Sequence, residues 1–330
     1  MKHIVVKVHT DCFGLRASPL NELCCNGNLL DAEGCDCLTL DWSRVGFASI
    51  TKMVALTQLG AAVQAHGGRV RVIPPSRSVD SYVSRMNFYR LLGLDMRESF
   101  RRHDPADRFI PARKIETADD PGWIATSVRE MIMHCVEAPG NQVAGFVDIS
   151  FSEIMDNVIN HSLSPAKGVA AGQYYPNMGF VELCVADSGQ GIATSMGTNP
   201  LYANQSPLER VLSALEERQG QYVGRPAFRD SETSGGMGLT LAMRTTTALG
   251  GQMWIVSRKE AIEVTEVGAS AVRGLYYPGT VVSLRLPVSH SSTILESQIF
   301  PEGNDVPVSW SAAEGVYPLW DEGADDGILW

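Results

Sequence analysis

The amino-acid sequence predicts a mixed α+β protein with two folded domains. The first hundred residues alternate short β-like runs with helical patterns, and the second half combines longer helices with strands. A length of 330 residues suits about two domains. An apolar content of 44% beside 19% charged residues provides enough material for buried cores. The composition therefore excludes a chain that is disordered throughout.

An α/β domain is predicted for residues 1–97. Apolar runs predict strands at residues 4–8, 38–40 and 70–74. Apolar residues spaced three and four apart predict helices at residues 51–66 and 79–92. The first of these helices is expected to end at Gly67 and Gly68. Residues 98–121 are assigned to a linker because they are charged and contain prolines.

A second α+β domain is predicted for residues 122–288. Its helices are expected at residues 123–137, 143–161 and 239–249, and its strands at residues 179–186, 252–257 and 280–286. Residues 289–330 are assigned to an acidic tail, which has no Lys or Arg and contains three of the six tryptophans of the chain. Such a tail either packs on its own domain or anchors in a groove, on this chain or on a partner protein.

The charge balance limits the classes of partner. The chain has 27 basic and 37 acidic residues, a net charge of −10. It therefore lacks the positive surface that binds nucleic acids or anionic membranes, and we expect neither partner. No apolar run reaches the ~20 residues of a membrane span, and the amino terminus lacks the pattern of a signal peptide. Seven cysteines, an odd number, suit a reducing compartment, so a cytoplasmic location is expected.

Polar residues recur along the helix predicted at residues 143–161. Glu153, Asn157 and His161 are spaced four apart, so their side chains share one face of that helix. A solvated helix surface is the ordinary explanation of such a stripe. Glycine-containing segments further along the chain favour a ligand site instead.

These segments stand at the ends of predicted strands and helices. The first follows a strand directly, where glycines permit a tight turn and a close approach to a ligand, and it contains Asp187, Gly189 and Gly191. The second opens a helix, where backbone N–H groups and the helix dipole favour a phosphate, and it contains Gly236, Gly238 and Leu239. A third segment, Gly279-Thr280, stands at the start of the last predicted strand.

The order of these segments resembles that of the GHKL superfamily, an ATP-binding fold shared by gyrase, heat-shock chaperone ATPases, histidine kinases and mismatch-repair ATPases. The N box of that family resembles the stripe formed by Glu153, Asn157 and His161. Its first glycine box resembles Asp187-Ser-Gly189-Gln-Gly191, and its second resembles Gly236-Met-Gly238-Leu239. Its closing strand resembles residues 279–287. The resemblance covers residues 120–288 and implies an α/β sandwich that binds ATP.

The resemblance also implies a role for each matched residue. Asn157 would place its amide oxygen on Mg²⁺, a hard cation that prefers oxygen ligands. Asp187 would accept a hydrogen bond from the adenine amino group. His161 would either lie beside the phosphates or serve in helix packing. The other nucleotide-binding positions implied are Gly189, Gly191, Gly236, Gly238, Leu239 and Thr280.

Glu153 matches the acid that acts as general base in the ATP-hydrolysing and serine-kinase branches of the superfamily. Histidine kinases commonly carry Asn or His there, so the acid favours hydrolysis or transfer to an alcohol. Residues 192–233 match the position of the ATP lid. Within the lid, Arg225 and Arg229 are candidates to reach the γ-phosphate.

Residues 1–95 resemble STAS-type domains, the family of anti-sigma-factor antagonists. That family has a strand, a turn and then a helix whose start can carry a phosphorylated serine. Asp41 and Phe47 fit the pattern, but Ser49-Ile50 stands where the family usually has Asp-Ser. Ser49 and Thr51 could substitute as phosphoacceptors, or either could serve as a helix N-cap.

The two resemblances together imply a signalling ATPase or a serine/threonine kinase of the anti-sigma type with a fused STAS-like domain. In the resembled partner-switching systems the kinase and the antagonist are separate chains, and fusion would make their contact intramolecular. The alternative is a non-catalytic interaction module gated by nucleotide. A protein partner is expected at the STAS-like domain or the tail, and a homodimer is left open.

Overall fold

A computed structural model describes residues 2–9, 34–96, 98, 102, 108–136, 140–216, 238–288, 294 and 296–299. Within these residues the chain is mixed α+β, as the sequence predicts. It contains a three-stranded parallel sheet and a seven-stranded antiparallel sheet. No helix of the described part is both long and apolar enough to cross a membrane.

The parallel sheet and its helices form the N-terminal unit, residues 2–96. The unit contains β1 (His3–Lys7), β2 (Cys37–Asp41), α1 (Ile50–Ala65), β3 (Arg69–Ile73), α2 (Arg77–Arg85) and α3 (Phe88–Leu91). The strands are ordered β1-β2-β3, and α1 connects the parallel pair β2 and β3. A single helix is predicted at residues 79–92, but the structure has two. The break falls at Asn87, which adopts a left-handed conformation with φ of 64°.

The antiparallel sheet begins after the N-terminal unit. Its strands are β4 (Phe109–Ile115), β5 (Gly168–Tyr175), β6 (Phe180–Asp187), β7 (Gln252–Arg258), β8 (Glu260–Thr265), β9 (Gly268–Val272) and β10 (Tyr277–Pro287). They are ordered β4-β5-β6-β10-β7-β8-β9. The helices of this part are α4 (Asp120–Cys135), α5 (Gly140–His161), α6 (Ile192–Gly197), α7 (Pro207–Ser213), α8 (Gly238–Ala248) and α9 (Glu296–Ile299).

The structure differs from the linker predicted at residues 98–121, because β4 lies within that stretch and pairs with β5. Pro111 interrupts the β-like pattern in the sequence, but β4 is an edge strand, where a missing N–H is tolerated. The strands β5, β8 and β9 are not predicted from the sequence. β5 contains mostly small residues, and one reason is visible at Gly168, where a Cβ would lie 2.6 Å from Cγ1 of Val158.

Both faces of the antiparallel sheet are covered near its centre, at β6. Along β6, Val181, Leu183 and Val185 belong to the core beneath α4, α5 and α8. The alternate residues Cys184 and Ala186 belong to the core shared with the N-terminal unit. Because both faces are buried, β6 is a nearly continuous apolar run rather than an alternating one.

The helix α1 lies between the two sheets. Thirteen of its sixteen residues are buried, so it has no solvated face of ordinary width. Gly60 permits close packing on one side, since a Cβ there would overlap Cδ2 of Leu92. The N-terminal unit is therefore joined to the larger sheet by a common hydrophobic core, which includes Leu38 and Leu56 from the unit and Trp254 from β7.

A buried polar cluster fixes the start of α1 on the larger sheet. The backbone N of Thr51 donates to Oε1 of Glu182 at 3.0 Å, and its Oγ1 donates to the same oxygen at 2.7 Å. Nε of Arg285 donates to Oε2 of Glu182 at 3.2 Å, and the two charged side chains are only 2% and 1% exposed. A carboxylate from β6 thus stabilises the positive end of α1.

Two residues at the start of the predicted tail pack in the core beneath the antiparallel sheet and α8. Ile294 and Ile299 are buried in the core beneath α8. Nη1 of Arg244 donates to the carbonyl oxygen of Ile299 at 2.7 Å. Residues 300–330 lie outside the described residues.

Candidate functional site

The polar stripe predicted from the sequence lies on α5. Glu153 and Asn157 are half-buried there, whereas His161 is exposed at the last residue of the helix. The exposure of His161 fits neither of its expected roles better than the other. Glu153 and Asn157 therefore form the part of the stripe that is partly withdrawn from solvent.

The start of α8 packs against this stripe. A Cβ on Gly238 would lie 2.7 Å from Cβ of Glu153 and 3.3 Å from its carbonyl oxygen. Only glycine allows the two helices to approach so closely at this point. Leu239, the next residue, is buried in the core. Gly236 lies outside the described residues.

Burial changes the acidity of Glu153. Desolvation raises the pKa of its carboxyl to about 7, and the neighbouring negative charge of Asp156 adds to the rise. A carboxylate with such a pKa accepts protons far more readily than an ordinary glutamate. It therefore has the acidity expected of a general base at neutral pH.

The first glycine segment forms a turn tied to the end of α5. The backbone N of Gly189 donates to Oδ1 of Asp187 at 2.7 Å. Gln190 donates twice to the end of the helix, from its backbone N to the carbonyl oxygen of Ser162 at 2.8 Å and from Nε2 to that of His161 at 2.7 Å. A Cβ on Gly189 would overlap the carbonyl oxygen of Ser162, so this position requires glycine.

Asp187 is buried where β6 ends, and it pairs with Thr280 of β10. Desolvation raises the pKa of its carboxyl to about 6, although the N–H of Gly189, the charge of Arg258 and hydrogen bonds from Thr280 act in the opposite direction. A Cβ on Gly279 would overlap the carbonyl oxygen of Asp187. The carboxyl is thus held by three separate segments of chain.

Ser257 and Arg258, at the end of β7, support the same turn, and the sequence did not predict this role for them. Gly191 has φ of 84°, and a Cβ there would lie 2.8 Å from Cγ of Arg258. The backbone N of Ile192 donates to Oγ of Ser257 at 2.8 Å, and Nη2 of Arg258 donates to the carbonyl oxygen of Gly189 at 2.6 Å. No motif in the sequence identifies Ser257 or Arg258, since their partners in this turn, Ile192 and Gly189, are more than sixty residues away.

A cleft of about 550 Å³ lies beside this turn, and the residues that line it include Gln190, Thr194, Arg210, Arg258, Lys259 and Tyr276. Arg210 belongs to the predicted lid, but its guanidinium donates to the carbonyl oxygens of Tyr202, Ala193 and Ala203. It therefore stabilises the local chain. The lid candidates Arg225 and Arg229 lie outside the described residues.

The two hydroxyls considered as phosphoacceptors are buried at the start of α1. Oγ of Ser49 accepts from the backbone N of Lys52 at 3.2 Å and caps the helix. Oγ1 of Thr51 is bonded to Glu182, beside the carboxylate that a phosphate would repel. Neither hydroxyl is accessible to a kinase in this conformation.

The site offers three functional groups: the half-buried carboxylate of Glu153, the neutral amide of Asn157 and the buried carboxyl of Asp187. No group of three or more His, Cys, Asp or Glu residues suited to a metal ion occurs in the part of the chain that the structure describes. A divalent cation at Asn157 would therefore take most of its oxygen ligands from a bound anion and from water, as Mg²⁺ commonly does.

The chain matches no protein-family model, and no curated protein matches it.

Proposed function

We propose that this chain is a Mg²⁺-dependent ATP-binding signalling protein of the GHKL type, which hydrolyses ATP or transfers its γ-phosphoryl group to a serine or threonine of a protein. The N-terminal unit would be its STAS-like domain. The observation that carries the proposal is the approach of two distant glycine segments to the C-terminal half of α5, Gly238 at Glu153 and Gly189 at Ser162, the residue directly after the helix. Convergence of these segments is what a single ligand site requires.

The donor and acceptor chemistry of the site fits an adenine nucleotide. Asp187 presents a buried carboxyl at the end of β6, and an exocyclic amino group is the kind of donor that it would bind. Thr280 adds a hydroxyl beside it. Guanine presents a carbonyl oxygen at the corresponding ring position, which an ionised carboxylate would repel. The site therefore favours adenine.

Asn157 and Glu153 supply the chemistry expected near the phosphates. Asn157 would bind Mg²⁺ through its amide oxygen, and the metal would neutralise the phosphate oxygens. Glu153 lies one helical turn before it, and its carboxylate would accept the proton of an attacking water or hydroxyl. The bound Mg²⁺–ATP supplies the phosphoryl group. The residues of this chain bind it, orient it and hold the proton acceptor.

The proposal is tested with γ-labelled ATP and Mg²⁺, by following free phosphate and labelled protein separately. Release of free phosphate indicates an ATPase, and label on a protein indicates a kinase. Tight ATP binding with neither product would indicate the alternative, a nucleotide-gated interaction module. Absence of any ATP binding would contradict both.

Asn157→Ala provides the accompanying test of the metal site. We expect it to weaken Mg²⁺-dependent ATP binding by on the order of tenfold or more, because the amide oxygen contributes directly to coordination. Asn160→Ala is the matched control, since Asn160 lies exposed on the same helix. Equal affinity of the two variants in calorimetry would contradict the assignment of Asn157.

A further inference from the structure

A glutamine of the N-terminal unit reaches the candidate site. Gln58 is completely buried on α1. Its Nε2 donates to the carbonyl oxygen of Lys167 at 2.8 Å and to Oγ of Ser188 at 3.1 Å. These acceptors lie more than one hundred residues away in the chain, directly before β5 and directly after β6.

Ser188 is the residue between Asp187 and Gly189. Its hydroxyl also bonds to Oγ of Ser164 at 2.9 Å. On the opposite side of the turn, a Cβ on Gly279 would lie 2.5 Å from Cα of Ser188. The backbone that carries the carboxyl of Asp187 is therefore held between β10 and α1.

Folding stability alone does not explain an amide side chain at position 58. Its Oε1 is buried and has no hydrogen-bond partner among the described residues. Leaving a buried acceptor unpaired costs free energy, and an apolar side chain of similar volume would avoid that cost. The two donors of its Nε2 are both used, and both act on segments that flank Asp187.

We propose that Gln58 is a positioning residue for the turn at residues 187–191, which would bind the adenine base. Docking of the N-terminal unit and binding of adenine would then stabilise each other. This inference rests on the proposed ATP site. Gln58 does not contact the reacting phosphates. It fixes Ser188 and, through it, the direction of the Asp187 carboxyl. Coupling of this kind is reciprocal, so ATP would in turn stabilise α1 on the sheet.

The test compares Gln58→Met with Gln64→Met. Methionine keeps approximately the volume of glutamine but donates no hydrogen bond. Gln64 is the matched control because it lies on the same helix and its Nε2 donates to the carbonyl oxygen of Leu92, away from the site. Affinities for Mg²⁺–ATP and Mg²⁺–GTP are measured by calorimetry, and turnover is measured at saturating ATP.

We expect Gln58→Met to reduce the preference for ATP over GTP by about three- to tenfold, the effect of one net hydrogen bond on an equilibrium constant. Turnover at saturating ATP should stay within about twofold, because the phosphate groups are bound elsewhere. Gln64→Met should keep both values. A purely structural role for Gln58 would lower stability without changing the ratio of the two affinities.

Reciprocity supplies a second measurement on the parent protein. Saturating ATP should slow amide hydrogen exchange in α1, relative to the protein without nucleotide. If Gln58→Met does not fold, Ser188→Ala removes the same hydrogen bond from the turn and is judged by the same ratio of affinities.

The outcomes separate the two proposals. If the parent binds ATP and the variant discriminates between ATP and GTP as well as the parent does, the role of Gln58 is wrong and the proposed function stands. If the parent binds no ATP, the proposed function fails and the inference fails with it.

Discussion

Glu153 combines two properties that oppose each other. Its half-buried position raises its pKa to about 7, which strengthens it as a base but costs stability when it is ionised. We expect Glu153→Gln to keep ATP affinity and to lose about 10²- to 10⁴-fold in turnover, the usual contribution of a general base. Turnover within a few-fold of the parent would contradict this role and favour the nucleotide-gated module.

The same carboxyl predicts a pH profile. Turnover at saturating ATP should rise with pH through about 7, because only the ionised form accepts a proton. Asp156→Asn removes the negative charge that contributes to the raised pKa, so it should shift the profile to lower pH. An identical profile for the parent and Asp156→Asn would show that another group controls the rate.

Stability should depend on pH in the opposite sense. The folded chain binds the Glu153 proton up to about pH 7, whereas an ordinary glutamate loses it near 4.5. Stability therefore falls as pH rises through this window. We expect Glu153→Gln to be more stable than the parent by up to about 3 kcal/mol at pH 8 and about equally stable at pH 4. Chemical unfolding at the two pH values measures the difference.

From the position of Asp187 we expect its substitution to change the preference for ATP over GTP rather than the turnover of bound ATP. Asp187→Asn should weaken the preference for ATP over GTP, because the carboxamide presents donors as well as an acceptor. Calorimetry with both nucleotides measures the ratio of affinities, and ATP turnover relative to bound ATP should change little. A variant that prefers ATP as strongly as the parent does would exclude the adenine assignment.

At the scale of elements, the contact between α1 and the larger sheet predicts that two buried threonines of α1 contribute different amounts to the free energy of unfolding. Thr51→Val removes a hydroxyl that bonds to Glu182 and to Oγ of Ser283 at 2.6 Å. We expect a loss of about 1–3 kcal/mol, since a buried carboxylate loses a donor.

Thr57→Val is the control for this prediction. The hydroxyl of Thr57 is equally buried on α1, but it donates only to the carbonyl oxygen of Met53 within the helix. Its loss should cost less than about 1 kcal/mol. Equal losses in denaturant unfolding would indicate that the polar cluster does not hold α1 on the sheet.

The long helices were predictable because their apolar periodicity is a local signal. The predicted helix at residues 51–66 differs from α1 by one residue at each end, and the predicted helix at 143–161 has the same end as α5. The turn at Asn87 and the small-residue strand β5 have no such signal. Their conformations depend on packing against distant segments, so composition and spacing do not identify them.

The same contrast applies to the candidate site, whose role in binding remains a proposal. Glu153, Asn157 and Asp187 stand in local motifs, which the sequence alone was able to single out. Gln58 and Arg258 reach the turn from other elements, and only the three-dimensional structure brings them there. Residues that hold a site are harder to predict than residues that form it, because their contacts are long-range.

At the scale of the whole molecule, the shared core predicts cooperative unfolding. Trp42 is buried in the N-terminal unit, and Trp254 is buried on β7 in the same core. In each of two variants that keep one of these tryptophans and replace the others by phenylalanine, tryptophan fluorescence and far-ultraviolet circular dichroism should give the same midpoint in denaturant. An earlier transition at Trp42 would show that the N-terminal unit unfolds independently.

The order in which the chain is synthesised gives the position of α1 a further consequence. The helix is complete at residue 65, yet the strand β6, which carries Glu182, is complete only at residue 187, and its partner strand β10 follows a hundred residues later. Translation from the end of α1 to the end of β6 takes roughly 6 to 24 s at 5–20 residues per second. During that time the sheet-facing side of α1 has no native surface to cover it. The nascent chain would therefore expose apolar surface that chaperones recognise, and its final folding step is expected after the last strand has left the ribosome.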